Sequence, residues 1–249
     1  MNSPTTKVER RARALIPLAA SRDGRTLLTL ASLGDTLTSS PASRDGITWQ
    51  GPFGDIEPGT EAERQAAAFA LVVAQSTTGE LTVKKDLPFD PALGIAAMVA
   101  ALDVESPSER ALEALTVRRG AAALIEPAAN QLTAVDLPRL PVVLLHADHE
   151  LGAGRGPQVA TIPEPPDDLS TPEEVADWLR GHVETDADEP AIQEMLDELA
   201  LTPGVSLAAV IPGGAICYGI YPDAATAQGA AAHLEALHPE WWVAETTLS

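Results

Sequence analysis

The chain has 249 residues, of which 45% are hydrophobic, and a formal net charge of −20 at pH 7. A chain of this length can bury the core of one large or two small domains. Nucleic acids and anionic membrane surfaces bind clustered lysine and arginine, so the acidic excess argues against both as partners. The single cysteine excludes an internal disulfide and fits a reducing compartment, so we expect a cytoplasmic protein.

The N-terminal region has a strand pattern interrupted by a turn. Apolar residues recur through residues 12–38 around the turn sequence SRDG, and the segment ITWQG at Ile47–Gly51 has the same character, which predicts strands. Thr60 followed three residues later by Glu63 forms a capping box ahead of an apolar run. A helix is therefore predicted to begin after Thr60.

The segment LTVKKDLPFDPALGIAAMVAALD, residues 81–103, combines a strand, a turn and a helix. Leu81–Leu87 is predicted to be a strand, and Pro88 and Pro91 prevent a continuous helix through the middle. Ile95–Leu102 is predicted to be a helix that buries its larger side chains against a sheet. The turn before a helix N-terminus favours anions, because unpaired backbone N–H groups and the positive end of the helix dipole point into it.

Two more capping boxes predict helices further along the chain. Ser106 with Glu109 begins one that ends in the basic sequence VRRG, and Thr171 with Glu174 begins another. The remaining pattern predicts an amphipathic helix, two strands around a Pro-Gly-Gly turn, a helix capped by Asp223 and a last strand; these cover residues 189–201, 205–210, 215–221, 223–237 and 238–248. Capped helices that alternate with short strands indicate an α+β fold.

A change of composition after Asp136 indicates a domain boundary. The sequence DLPRLPVVLLHADHE has the pattern of a buried strand that leads into a Gly-rich loop. We therefore predict two domains, residues 1–137 and 138–249.

Several residues of metal-ligand or nucleophile type occur without a recognisable site pattern. The sequence HADHE contains His146, Asp148, His149 and Glu150, but their spacing matches no closed metal site, so we expect a polar loop and no metal. The carboxylate-rich stretches at residues 164–168, 173–177 and 184–189 are interpreted as a solvated face. Cys217 lies in an apolar strand pattern, which favours a small buried side chain over a nucleophile.

The segment at residues 85–97 resembles the phosphate-binding segment of the GHMP small-molecule kinases, most closely the 4-diphosphocytidyl-2-C-methyl-D-erythritol kinases of the non-mevalonate isoprenoid pathway. That family has the pattern K-x-L-P-x-x-x-G-[LI]-G-G-G-S-[SA]-D-A-A-A. This chain matches it at Lys85, Leu87, Pro88, Leu93, Gly94, Ala96 and Ala97. Gly94 is followed directly by Ile95, so the G-G-S-[SA]-D part of the loop is missing.

The C-terminal region resembles the same family more strongly. The family sequence M-S-G-S-G-x-T-C-F-G-L-F corresponds to VIPGGAICYGIY here, and the family pattern H-P-x-W-W-V is matched throughout at His238–Val243. The side chains of Trp241 and Trp242 are expected to pack in the core and at the rim of a sheet. The resemblance implies the two-domain GHMP kinase architecture: an N-terminal ribosomal-protein-S5-domain-2-like domain and a C-terminal ferredoxin-like domain.

The resemblance also identifies positions where this chain departs from the family pattern. Leu15 stands in place of an active-site lysine, and Ala122 stands in place of the aspartate that receives or aligns the substrate hydroxyl proton. Arg25 and Thr26 replace a Tyr-His pair that helps to hold the cytidine nucleotide. We expect Leu15 and Ala122 to face the same cleft.

The resemblance implies ATP and Mg²⁺ as cofactors if the family activity persists. Its candidate nucleotide-binding positions here are Lys85, Gly94, Gly213 and Gly214. Lys84, Lys85 and Arg155 are the basic residues nominated to meet a phosphate, with solvated charges beside turns as the alternative.

The leading hypothesis is a catalytically degenerate family member, a pseudokinase or binding module with a small-molecule or nucleotide ligand. Phosphoryl transfer needs a phosphate cradle, a cation and a group that holds the attacking hydroxyl, and all three are altered here. Two alternatives remain open. One is an active kinase for a related small alcohol with a rearranged loop and acids such as Asp186 or Asp188. The other is a binding or regulatory module that uses the old cleft for a ligand or its surface for a partner.

Overall fold

The computed structural model describes residues 7–41, 46–74, 79–88, 98, 100–102, 111–147, 159–213 and 215–249. The chain divides into two compact units: residues 1–15 with 33–119, and residues 16–32 with 120–249. The strands β1 (Val8–Ala20) and β2 (Thr26–Ser40) contribute residues to both units. This division follows compactness, and the domain boundary expected near residue 137 stays a prediction.

The first unit contains a small mixed sheet covered by a helix. β4 (Glu80–Lys84) pairs antiparallel with the end of β2, and β3 (Gly46–Gln50) pairs parallel with β4. The helix α1 (Glu61–Ala74) packs Phe69 and Val73 into the core of this unit. A second helix, α2, spans Ala111–Arg119.

The predicted cap of α1 is present in a shifted form. The backbone N–H of Glu63 donates to Thr60 Oγ1 over 3.2 Å, while the Glu63 carboxylate accepts from the N–H of Gly59 over 2.7 Å. The helix therefore begins where the capping box predicts it, although the reciprocal bond reaches one residue further upstream.

The second unit is built around β7 (Leu140–Ala147), which is buried along most of its length as its apolar sequence predicts. β7 pairs antiparallel with β10 (Trp241–Leu248) and with β9 (Ile216–Ile220), and β8 (Leu207–Val210) pairs with β9. β10 also meets β2, which pairs with β5 (Ala123–Glu126). β6 (Gln131–Ala134) pairs with β5.

Three helices belong to this second unit: α3 (Pro172–Leu179), α4 (Pro190–Leu201) and α5 (Ala224–Leu237). The capping box of α3 forms both of its bonds, and the Asp223 carboxylate accepts from the N–H of Thr226 at the start of α5. The apolar faces of α4 and α5 share one core with β7 and β9. These helices were predicted from their caps and periodicity, and the prediction is confirmed.

For residues 81–103, the structure shortens the predicted strand and describes only part of the predicted helix. The strand predicted at Leu81–Leu87 ends at Lys84, because the backbone N–H groups of Asp86 and Leu87 bond to the Asp35 side chain instead of a neighbouring strand. Within the helix predicted at Ile95–Leu102, the described residues Met98, Ala100 and Ala101 are helical, and the other residues except Leu102 lie outside the described part. The Ser106 capping box also lies outside it.

Among the described residues, no helix is both long and apolar enough to cross a membrane.

Candidate functional site

Lys85 forms a buried ion pair with Asp35 in the first unit. Lys85 Nζ lies 2.6 Å from Asp35 Oδ2, and both side chains are only 5% exposed. The other carboxylate oxygen, Asp35 Oδ1, accepts the backbone N–H groups of Asp86 and Leu87 over 2.9 and 3.1 Å. The carboxylate thus holds both the ammonium group and the backbone that follows β4. Lys85 is therefore not a solvated charge beside a turn, which was one of its two expected environments.

Burial dominates the protonation equilibria of this pair. Desolvation raises the pKa of Asp35 and lowers the pKa of Lys85, because the charged form of each group loses its water. The mutual attraction of the two charges and the two backbone N–H donors to Asp35 offset this effect in part. The charged pair is stable in the core only while both partners are present.

The backbone of Lys85 is also tied to the loop after β3. Lys85 donates its N–H to Gln50 O over 2.8 Å, and Phe53 donates its N–H to Lys85 O over 3.4 Å. Gly51 has a φ of +90°, and a Cβ added there would lie 2.5 Å from Lys85 O, so glycine is required at this approach. Hydrogen bonds with Asp35, Gln50 and Phe53 therefore fix the backbone that precedes the predicted anion-binding turn.

Of the other predicted phosphate ligands, some are exposed and some lie outside the described residues. Lys84 is exposed and its Nζ lies 3.0 Å from the Asp86 carboxylate. Gly94, Gly214 and Arg155 lie outside the described residues. Gly213 is exposed in the turn between β8 and β9 and has a φ of +74°, a conformation that favours glycine.

The two positions that stand in place of the family lysine and aspartate are both buried and apolar. Leu15 lies on β1 and is 2% exposed; Ala122 precedes β5 and is 3% exposed. The Ala122 carbonyl accepts the N–H of Val135 over 3.0 Å. Leu15 belongs to the first compact unit and Ala122 to the second, so the expectation that they face one cleft stays a prediction.

Arg25, at the position of the nucleotide-holding pair, is engaged within the second unit. Its Nε lies 3.1 Å from Glu126 Oε1, and its Nη1 donates to Ile162 O over 3.2 Å. The guanidinium is thus already bound to protein oxygens, and Thr26 is the first residue of β2.

Cys217 and the HPEWWV sequence serve the sheet of the second unit. Cys217 is fully buried, and burial raises the pKa of its thiol, which makes it a poor nucleophile, as predicted. Trp241 is half-buried, packs against the core and stacks on His238 with ring centroids 3.7 Å apart. Trp242 pairs with His146 across β10 and β7.

The acidic residues do not assemble into a metal site in the described part of the chain. There, no group of three or more His, Cys, Asp or Glu side chains has the placement to hold a metal ion. Asp186 and Asp188 are exposed before α4. Asp148, His149 and Glu150 lie outside the described residues.

An apolar cavity of about 490 Å³ lies between β3 and α1. Its walls include Ile47, Trp49, Ile56, Ala66, Ala70 and Val73, and Glu63 is the charged residue among its described lining. Sequence reasoning missed this cavity and the Asp35 side chain. The available signals were the alanines on one side of α1 and a carboxylate inside the apolar pattern of β2.

Comparison with known proteins identifies the family. No family model matches the chain. A protein of Dinoroseobacter shibae named 4-diphosphocytidyl-2-C-methyl-D-erythritol kinase is 31% identical over 247 residues, covering 89% of this chain and 85% of that protein. A protein of the same name from Caulobacter vibrioides is 30% identical over 260 residues, with 90% of each covered. The chain belongs to the 4-diphosphocytidyl-2-C-methyl-D-erythritol kinase family.

Solved structures of kinases share the fold. A crystal structure of 4-(cytidine 5'-diphospho)-2C-methyl-D-erythritol kinase has a TM-score of 0.58 at 20% identity, with 97% of this chain and 99% of that chain covered. Mevalonate kinase from methicillin-resistant Staphylococcus aureus MRSA252 has a TM-score of 0.60 at 12% identity, with 96% and 99% covered. The predicted α+β GHMP kinase architecture is confirmed.

Membership of the 4-diphosphocytidyl-2-C-methyl-D-erythritol kinase family gives the sequence departures a context. The similarity extends over about nine-tenths of the chain. Leu15 and Ala122, which the sequence resemblance matches to the lysine and aspartate positions of the family pattern, are both buried. The scaffold is therefore retained, and the replacement of the side chains that the pattern assigns to chemistry stays a prediction.

Proposed function

We propose that this chain is a non-catalytic member of the 4-diphosphocytidyl-2-C-methyl-D-erythritol kinase family, a pseudokinase that keeps the fold as a binding module. The observation that carries the proposal is the occupation of the lysine and aspartate positions by Leu15 and Ala122, both almost completely buried. An alkyl side chain neither stabilises developing phosphate charge nor accepts a proton.

The expected cost of these replacements is large. Loss of a charge-stabilising cation or of a positioned acid or base each lowers a rate by about 10²- to 10⁴-fold. The G-G-S-[SA]-D part of the loop is also missing from the sequence, and positioning carries much of phosphoryl-transfer catalysis.

The basic residues next to the phosphate-binding segment in the sequence do not readily replace the missing lysine. The Lys85 ammonium is held by Asp35, and withdrawing it toward a phosphate would leave a buried carboxylate without its partner. The net charge of −20 adds a long-range field that repels polyphosphate. Both observations favour a binding module over an active kinase with rearranged groups.

Calorimetric titration with ATP and with AMP, each with and without Mg²⁺, tests the proposal. Because the triphosphate cradle is lost, we expect ATP to bind no more tightly than AMP, and Mg²⁺ to make no difference. The Dinoroseobacter shibae relative, titrated in parallel, serves as the control. Magnesium-dependent binding of ATP at least about tenfold tighter than AMP would contradict the proposal, because that difference of 1.4 kcal/mol requires contacts to the added phosphates.

A further inference from the structure

The cavity between β3 and α1 results from small side chains on the helix. Ala66, Ala67, Ala70 and Ala74 line it along one side of α1, at the spacing that brings residues of a helix onto one face. Alanine side chains are short, so the helix and the strand leave about 490 Å³ between them. This volume lies within the range of small-molecule binding sites, about 300–1,000 Å³.

The strand side of the cavity supplies an aromatic surface. Ile47 and Trp49 of β3 line it, and both are half-buried. The Trp49 ring packs edge-on against the fully buried Phe69 ring, with the ring centroids 5.7 Å apart, so the core of the first unit holds the indole in place. A flat ring that enters the cavity therefore meets a preformed aromatic partner.

Glu63 is the charged side chain of the described lining. It lies in the first turn of α1, and its carboxylate accepts the N–H of Gly59 through Oε2 over 2.7 Å. This bond fixes the position of the carboxylate at one end of the cavity. An ionised carboxylate accepts several hydrogen bonds, so Glu63 can bind a donor of a ligand while it caps the helix.

The charges around the cavity favour a cation. The sequence contains no charged residue at positions 46–54 and 65–79, which provide the described lining except Ile56 and Glu63. Arg64 is exposed next to Glu63, but it is turned by about 100° around the helix, and its Nη1 donates to Gly59 O over 3.4 Å. The carboxylate and the net charge of −20 both attract a positive group.

We propose that this cavity binds a small aromatic amine in its protonated form. The ring lies between Trp49 and the alanines of α1, and the ammonium group donates to the Glu63 carboxylate. A hydrogen bond between two ionised groups is stronger than one from a neutral hydroxyl. The described lining includes neither Leu15 nor Ala122, so this site is separate from the positions on which the proposed function rests.

Two-dimensional ¹H–¹⁵N NMR with 1-naphthylmethylamine as the probe tests the site. The chain has four tryptophans, and the indole signal of Trp49 is the one that the variant Trp49→Phe lacks. We expect the probe to shift this signal with a dissociation constant of about 0.1–1 mM, as for a ligand of this size. The signals of Trp178, Trp241 and Trp242, which belong to the second unit, should stay in place.

Two analogues of similar shape test the charge of the ligand. 1-Naphthylmethanol carries a neutral hydroxyl in place of the ammonium group, and 1-naphthoate carries a negative charge. We expect the alcohol to bind roughly fivefold more weakly than the amine and the anion to bind more weakly still.

Three variants separate the ion pair from the cavity and from the general charge of the protein. Glu63→Gln keeps an oxygen for the N–H of Gly59, so the amine should bind no more tightly than the alcohol, whose affinity stays unchanged. Glu194→Gln removes the same charge at an exposed position of α4 in the second unit and should leave amine binding unchanged. Ala70→Leu fills part of the cavity and should weaken both probes, with thermal unfolding as the check that it is folded.

An unshifted Trp49 signal at amine concentrations well above the expected dissociation constant overturns the proposal. So does binding of the alcohol or of 1-naphthoate to the wild type as tightly as the amine. A Glu63→Gln variant that keeps the full affinity for the amine, or a folded Ala70→Leu variant that does so, also overturns it.

Discussion

The Lys85 side chain has a structural role, although the sequence suggested that it contacts a ligand. Its ammonium is buried against Asp35, and the same carboxylate binds the backbone of the next two residues. A buried ion pair of this type contributes little net stability when intact, yet its disruption leaves an uncompensated charge. The pair therefore fixes the path of the chain from β4 toward the predicted anion-binding turn.

Asp35→Asn should destabilise the protein by about 3–5 kcal/mol, because the Lys85 ammonium then has no charged partner in the core. The measurement is urea unfolding near neutral pH. Asp86→Asn is the control, since its pair with Lys84 is solvent-exposed and is worth about 1 kcal/mol or less. The double variant Asp35→Asn with Lys85→Met keeps a side-chain oxygen for the N–H groups of Asp86 and Leu87 and should recover most of the loss. Equal costs for the single and double variants would contradict this account.

The loss of stability caused by Asp35→Asn should depend on pH. Burial lowers the pKa of Lys85 below its ordinary value of 10.5, so the folded state releases this proton before the unfolded state does. Stability contributed by this group therefore rises with pH between the lowered pKa and the ordinary one. The lowering is larger without Asp35, so the deficit of Asp35→Asn should be smaller at about pH 9.5 than at pH 7. A deficit that grows with pH would contradict this expectation.

Restoring the two family side chains should not restore activity. Leu15→Lys with Ala122→Asp returns a cation and a carboxylate, but the missing part of the loop still leaves the γ-phosphate without a cradle. We expect magnesium-dependent ATP consumption to stay at the level of a protein-free blank, and thermal unfolding would verify that the variant is folded. Turnover by this variant would show that the loop is dispensable and that these two side chains alone limit catalysis.

The helices and strands differ in how far local sequence predicts them. The starts of α1, α3 and α5 follow from Thr60, Thr171 and Asp223, because capping uses side chains within the same turn. The end of β4 did not follow, because it depends on Asp35, about fifty residues away. The exposed apolar side of α1 and the cavity beside it also depend on which neighbours the helix meets. Local rules thus place the elements, and long-range contacts decide their ends and the candidate site.

The capping box of α3 should contribute measurably to stability. Thr171→Ala removes the acceptor of the Glu174 N–H and should cost about 1 kcal/mol in unfolding free energy. Bonds from Ser170 and Thr171 lower the pKa of Glu174 below its ordinary value of 4.5, so the stability from this carboxylate is present above that pH and is lost as pH falls. Thr185→Ala, at an exposed site before α4, is the matched control. Equal unfolding free energies for the two variants would show that the capping box contributes no measurable stability.

The chain as a whole combines a family fold with an unusual charge. Its relatives share about 30% of its residues across nearly all of its length, which accounts for the common architecture. The resemblance of the C-terminal sequence was sufficient to predict that architecture, because the strand residues around Cys217 and the whole HPEWWV sequence follow the family pattern. The role of the site was less predictable, since the phosphate-binding segment has changed and function resides in particular side chains.

The net charge of −20 should make the folded state sensitive to salt. Self-repulsion destabilises a compact acidic chain, and screening relieves it, so the unfolding temperature should rise between about 0.01 and 0.15 M salt. Each 1 kcal/mol of relief corresponds to a rise of roughly 2–4 °C in a chain of this size. Neutralising the exposed cluster Glu164, Asp167 and Asp168 with amides should reduce the slope, and an unfolding temperature that falls with salt would refute the expectation.

Phosphate transfer itself is the most direct test of the claim that this kinase fold is non-catalytic. Purified protein is incubated in excess over ATP with Mg²⁺ and 4-diphosphocytidyl-2-C-methyl-D-erythritol, and the appearance of the phosphorylated product is followed by phosphorus NMR, with the Dinoroseobacter shibae relative as positive control. The proposal predicts that no product forms above a protein-free blank. Product formation by the unmodified chain would contradict it, and Asp186, Asp188 and Lys85 would then be the first residues to substitute.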